Sequence, residues 1–309
     1  EVEIRGAGEI NTIFDNATNT QRWGSITASN VKINRLTITR YALAADGIAV
    51  SITSGANIEL NRVLIYANVG SAGQGAVYIS GASTSVSIKN SGSPCNRVAS
   101  ANYGGGYKID GATVLFDNCS INNNVVSAIQ GGGILIIGNT ANVTINNTTF
   151  DDNEAAADGA ICIQNGTLSV NNCCFNGNTT NAGAGNLLGG GAILVQASTN
   201  GTTTNVVLNN CSFSNNSTGP ASSDGGAITI TNLNSPTCNV NIKTCSFTNN
   251  NAADRGEDIY FDRTNTPTFD VVFENNTFNS VYSGTQVNLF NNDFPTAQIK
   301  FEQLVGFGA

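Results

Sequence analysis

Two short phrases recur along the chain in a fixed order, and their recurrence limits the fold more than any single residue does. The first is an apolar residue followed by Asn-x-Cys/Thr-x-Phe-x-x-Asn. It reads Leu208-Asn209-Asn210-Cys211-Ser212-Phe213-Ser214-Asn215-Asn216, and Ile145 to Asn153 and Val170 to Asn178 follow the same scheme. The second is Gly225-Gly226-Ala227-Ile228-Thr229-Ile230, echoed at Gly132 to Ile136, Gly159 to Ile163 and Gly190 to Val195. The glycines that open the second phrase fall at positions 47, 75, 105, 132, 159, 191, 226 and 256, separated by 28, 30, 27, 27, 32, 35 and 30 residues. Self-similarity at this period marks a stack of supersecondary units, none of which can bury its apolar face alone.

Within a unit, apolar and polar residues alternate, as in Val143-x-Ile145, Thr148-x-Phe150 and Ile161-x-Ile163. That is a strand period, and no stretch shows the i, i+3, i+4 spacing of a helix. Each unit therefore reads as three short strands and three bends. Asn118, Asn147, Asn172, Asn210 and Asn275 stand three residues before the aromatic position, where a residue tolerant of left-handed backbone is needed for a sharp bend. Stacked amides of this kind can bond along the axis as a ladder. A second line, Asn124, Asn153, Asn178, Asn216 and Asn250, follows the aromatic. Earlier units keep the frame with Arg35 and Arg62 at the bend and Leu36 and Val63 where Cys stands later, while the register around Ser91 to Cys95 is irregular. The expected fold is all-β, a parallel β-helix of about nine rungs and about 45 Å length. It is one continuous domain: an amino-terminal strand or cap over 1–30, repeats over 31–283, and a cap or donated strand over 284–309.

Charged residues are 11% of the chain and the formal net charge is −8. With no basic run, nucleic acid and anionic membrane surfaces are poor partners, and no apolar run reaches the length of a membrane span. The chain contains no Met and starts at Glu1, which leads to the expectation of a processed, extracellular form. Of eight cysteines, Cys119, Cys173, Cys211 and Cys245 share one inward position, with Thr148 between, and read as a buried thiol column. Cys162 and Cys174 fall on outward phases; bridges involving them, Cys95 or Cys238 stay open. With no His and no C-x-x-C pair, zinc is not expected, and no cofactor is implied. Asn16, Asn165 and Asn200 are glycosylation sequons in expected loops.

The pairing of Gly190-Gly191-Ala192-Ile193 and Gly225-Gly226-Ala227-Ile228 with Phe213-x-x-Asn216 and Phe247-x-x-Asn250 resembles the repeats of the chlamydial polymorphic outer membrane proteins. It also looks like the wider group of secreted β-helix repeat proteins and autotransporter passengers. Weaker copies extend the likeness over roughly residues 30 to 280. It implies a surface-displayed, right-handed β-helix with an adhesive role. The departure is at the carboxyl end, where no membrane barrel follows within these residues.

Parallel β-helices also host sugar-cleaving enzymes, which need paired carboxylates or an acidic calcium cluster. The acidic groups to weigh are Asp151-Asp152 with Glu154 and Asp158, and Asp254-Arg255 with Glu257, Asp258 and Asp262. Asp151, Asp152, Asp254 and Asp258 are weak calcium positions, since solvated turns and ion pairs explain them equally well. No carboxylate constellation recurs from rung to rung, so an enzyme is the least favoured reading.

The ends of the rod point to assembly. Val2 and Ile4 alternate with charge, as do Ile299 and Phe301 near the carboxyl end, with Leu304 as a further apolar residue three positions on. A β-helix exposes open strand edges at its outermost rungs, which must be capped or paired. The favoured expectation is an extracellular subunit that stacks end to end, by its own ends, into a surface filament. A monomeric adhesin with a host-surface or carbohydrate ligand comes second, and a polysaccharide-cleaving enzyme third. The widest repeat spacings place 197–205 and 215–224 in excursions from the coil.

Overall fold

The computed structural model describes residues 1–16, 21–71, 75–98, 104–127, 130–181, 189–197, 202–219, 224–232, 237–253, 256–263, 268–279 and 298–302. Every regular element among them is a β-strand, and every strand pairing is parallel. The strands form four ribbons along one rod: a twelve-stranded first sheet, a five-stranded second, a seven-stranded third and a nine-stranded fourth. One full coil illustrates the path. Ile134–Ile137 lies in the fourth sheet, Asn142–Asn146 in the first, Thr149–Asp151 in the second and Glu154–Ala155 in the third, after which Ile161–Ile163 re-enters the fourth. The protein is thus a parallel β-helix, and the nine strands of the fourth sheet match the expected rung number.

The coil has four strand segments where the sequence suggests three. The additional one is the two-residue strand after the second Asn line, such as Glu154–Ala155 or Ser217–Thr218, which is too short to show alternation. The bend between first and second sheets sits on one left-handed residue per rung: Asn118 (φ 55°), Asn147 (51°), Asn172 (55°), Asn210 (53°) and Asn275 (55°). Arg35, Arg62 and Thr244 take the same conformation, at 58°, 57° and 54°. In the first two complete rungs the two segments merge into nine-residue strands, Val31–Thr39 and Ile58–Tyr66, which bend at those arginines. The irregular rung also falls into register: Asn90 bends at φ 50°, and Gly92 bridges Leu64 on one side and Ser120 on the other.

Stacked rungs place like residues over like. Phe150, Phe175, Phe213, Phe247 and Phe278 form a column with ring centroids 4.7 to 4.9 Å apart and planes within 5 to 7° of parallel. That spacing is the strand separation itself, so each ring fills the gap its neighbours leave. The Gly-Gly-Ala-Ile phrase has a different cause. A Cβ on Gly159 would lie 2.1 Å from the Gly191 carbonyl oxygen, and Gly225 holds φ 71°, so close backbone stacking and a left-handed turn both require glycine there.

The second Asn line is the buried ladder. Asn68, Asn96, Asn124, Asn153, Asn178, Asn216 and Asn250 are linked by Nδ2 to Oδ1 bonds of 2.9 to 3.0 Å from each rung to the next. Each Oδ1 also accepts the backbone N–H of the residue below it, as from Asn124 to Asn153 at 3.1 Å. Each Nδ2 reaches back to a carbonyl of the preceding rung, Asn153 to Ile121 at 2.7 Å. The ladder thereby satisfies the backbone groups that the bend takes out of sheet pairing.

Candidate assembly interface

The amino-proximal rung is built on the strand Val31–Thr39. Val2–Arg5 pairs with its first half and Ile13–Asp15 with its second, so both halves carry one further layer. Gly6 lets the chain cross the bend between them, because a Cβ there would meet the Arg35 carbonyl oxygen at 2.1 Å. A turn closed by Asn11 and Thr12 N–H groups on the Gly8 carbonyl leads to the second strand. Register puts Val2 and Ile4 over Val31 and Ile33, positions buried in the rung beneath, and Phe14 over buried Ile38. Among the described residues no further strand pairs above them, although the Trp23 ring lies 5.4 Å from that of Phe14. Val2 is 56% exposed, Ile4 40%, Ile10 85%, Ile13 55% and Phe14 38%. Core-column residues thus form an apolar face beside an unpaired strand edge. Charges ring it: Glu1 accepts from Lys32 at 2.5 Å, Glu9 from Arg62 at 3.3 Å, and Asp15 pairs with Arg40. These exposed pairs add little stability individually.

At the opposite end, Gln298–Glu302 adds to Thr268–Glu274 in parallel, with Ile299 beside Val271 and Phe301 beside Phe273. The segment continues its own rod as the last strand of the first sheet. Its outer edge is open among the described residues, and Leu304 lies outside them.

The first Asn line faces outward. Its members bond along the rod at Asn118 to Asn90 (2.8 Å), Asn172 to Asn147 (3.4 Å) and Asn210 to Asn172 (2.8 Å), while Asn147 turns to Asp117 (3.0 Å). Cys119, Cys173, Cys211 and Cys245 line the interior with Thr148 among them. Each thiol approaches the carbonyl two residues earlier, at 3.2 to 3.5 Å. All eight cysteines are free; Cys95 and Cys174 are exposed, and Cys162 and Cys238 are buried. Burial pushes the Cys238 thiol up to about 12.

Several expected sites are not assembled. Asn165 is only 6% exposed and its side chain accepts from Thr202 at 3.2 Å, so it is not the exposed loop position that the sequence suggests. Asn16 is half-exposed at the end of its strand, and Asn200 lies outside the described residues. Ala197 is an inward residue of Ile193–Ala197, and Asn215 and Asn216 belong to the coil, so both expected excursions begin later than their spacing suggests. Asp151 is half-buried on the second sheet and its carboxyl is raised by burial and then by the charge of Asp152. Asp258 is buried elsewhere, accepting from Asn250 at 2.9 Å, and Asp254 lies outside the described residues. Among the described residues no three His, Cys, Asp or Glu side chains cluster as metal ligands.

One polar cluster escapes sequence reasoning. Asp158 is fully buried at the entry to the fourth sheet, where other rungs carry left-handed glycines such as Gly131 and Gly190. Its Oδ1 accepts the Gly131 N–H at 2.6 Å, its Oδ2 has no well-aligned donor, and the Cys162 thiol lies beside the carboxyl. Burial pushes this carboxyl up to about 7. Cys162 beside it is raised well above an ordinary thiol by burial and by Asp158. Further along the same face Gln130, Gln164 and Gln196 bond to one another at 2.6 to 3.4 Å. The signal available in the sequence is an Asp in place of the first glycine of the phrase.

The fold and its layered columns define a parallel β-helix protein. No protein-family model and no curated protein matches the chain. Among solved structures it is similar to the A-module of the mannuronan C-5 epimerase AlgE6 of Azotobacter vinelandii, with TM-score 0.49 and 11% identity over 100% of this chain and 84% of that one. It is also similar to the tailspike protein gp49 of Pseudomonas phage LKA1, with TM-score 0.37 and 11% identity over 89% of this chain and 52% of that one.

Proposed function

We propose that this protein is an extracellular structural rod, a subunit that stacks end to end with further copies into a surface filament. The observation that carries the reading is the amino-proximal face, where Val2, Ile4 and Phe14 occupy core columns yet remain exposed beside an open strand edge. An edge of this kind templates strand addition, and a head-to-tail contact that does not close generates a fibre. Extracellular display rests on the likeness to secreted β-helix repeats and on the sparsely charged, Asn- and Thr-rich surface. Sedimentation velocity over a hundredfold concentration range tests it: species that grow with concentration support stacking, and a single monomer boundary throughout refutes it.

One observation favours a second reading, an adhesin that binds carbohydrate. An open groove of about 830 Å³ runs over the bend between first and second sheets, lined by Glu9, Arg62, Asn90, Asn118, Ser120 and Asn147. Amides, hydroxyls and one charge of each sign suit a sugar's hydroxyls. Retention of the protein on immobilised polysaccharides, lost on Arg62→Ala, would establish that reading. A polysaccharide-cleaving role finds less support, because Asp158, the carboxyl pushed up to about 7, is fully buried with Cys162 and out of reach of a polymer.

A further inference from the structure

The two outermost strands of the first sheet carry opposite charges at matching register. We propose that copies of this chain join by continuing that sheet across the junction, Val2–Arg5 of one copy pairing in parallel with Gln298–Glu302 of another. The proposal rests on the stacking reading above and specifies its partner and register.

Strand pairing can be followed residue by residue through the whole rod. The position of Glu3 passes through Lys32, Glu59, Ser87, Leu115, Thr144, Ser169, Val207, Asn241 and Val272 to Lys300. By the same succession Val2 shares a column with Ile299, Ile4 with Phe301, and Arg5 with Glu302. Laying one more strand on Gln298–Glu302 in this frame therefore sets Val2 beside Ile299 and Ile4 beside Phe301, apolar on apolar in core columns. It sets Glu3 beside Lys300 and Arg5 beside Glu302, with opposite charges at both register positions.

The same columns already use sign alternation inside the chain. Glu3, Lys32 and Glu59 succeed one another on three rungs, and Lys243 pairs with Glu274 at 2.8 Å. That second column then breaks its rule, because Glu302 follows Glu274 with like charge. Arg5 of a second copy restores alternation at that step. Like charges on adjacent strands oppose pairing and opposite ones favour it, so the junction has a defined polarity and register.

The test uses two charge-reversed variants of the full chain, Glu3→Lys with Arg5→Glu, and Lys300→Glu with Glu302→Arg. Glu3 and Arg5 are exposed, and circular dichroism checks that both variants keep the fold. Sedimentation velocity at low salt is expected to show each variant's self-association weakened at least tenfold relative to the wild type. Mixing the two in equal amounts should restore association, because each reversed end then meets its complement in an alternating polymer. Wild-type stacking with both variants unaffected overturns this register and leaves the stacking reading standing. Weakening by the first variant alone, without rescue on mixing, indicates a head-to-head contact and overturns it as well. A wild type that stays monomeric removes both proposals together.

Discussion

Replacing Asp158 with asparagine should stabilise the fold at pH 8 and destabilise it modestly at pH 4. The carboxyl is fully buried, and burial outweighs the Gly131 N–H and the Cys162 thiol beside it, so its charged form is disfavoured. Its pKa stands at about 7 in the fold against an ordinary 3.8. Below pH 3.8 the group is neutral in both states and costs the fold nothing. Between these values the unfolded chain releases the proton while the folded chain retains it, so stability falls as pH rises. Above about pH 7 the loss is complete, and the interval corresponds to about 4 kcal/mol. Asparagine keeps the acceptor for Gly131 but leaves a buried neutral N–H, at a cost of about 1–3 kcal/mol. The net gain at pH 8 is then about 1–3 kcal/mol; at pH 4 ionisation costs the wild type under about 1 kcal/mol, so the same substitution should be destabilising by up to about 2 kcal/mol. Urea unfolding of both proteins at pH 4, 5, 6, 7 and 8 measures it. A stability difference that is flat with pH would refute the reasoning.

Other perturbations test the columns. Asn153→Ala orphans the buried Asn124 N–H and Ile121 carbonyl and should cost about 2–6 kcal/mol in urea unfolding, whereas Asn118→Ala on the exposed line should cost less than about 1 kcal/mol beyond its backbone strain. Phe213→Ala removes a ring stacked 4.8 and 4.9 Å from its neighbours and should cost about 3–5 kcal/mol by the same measurement. A thiol reagent should titrate Cys95 and Cys174 in the folded protein and the six buried cysteines only in denaturant; fast reaction of more than two would contradict the thiol column.

The repeated phrases made most of the coil legible, because stacking forces one residue type into each column and so writes geometry into sequence. Asn147 and Phe150 could be placed from spacing alone, and Arg35 and Arg62 could be recognised at the Asn bend from the residues around them. Two-residue strands stayed hidden because two residues cannot show a period. Which Asn line lies inside was also unreadable, since both lines repeat at the same interval and differ only in which way the backbone turns. Asn165 sits in a sequon that looks like a loop, yet it is buried and bonded by Thr202; such a partner comes from another coil. Asp158 fails to announce itself for a related reason. Its burial depends on what packs over the outer side of the fourth sheet, and alternation predicts only what faces in. The apolar ends were visible as Val2, Ile4, Ile299 and Phe301, but their matched register follows only from tracing pairing through every rung between them.

Negative-stain imaging of concentrated protein at low salt tests stacking most directly. Stacked copies should appear as unbranched rods of constant width whose lengths are multiples of about 45 Å. A field of isolated single rods at every concentration would contradict it.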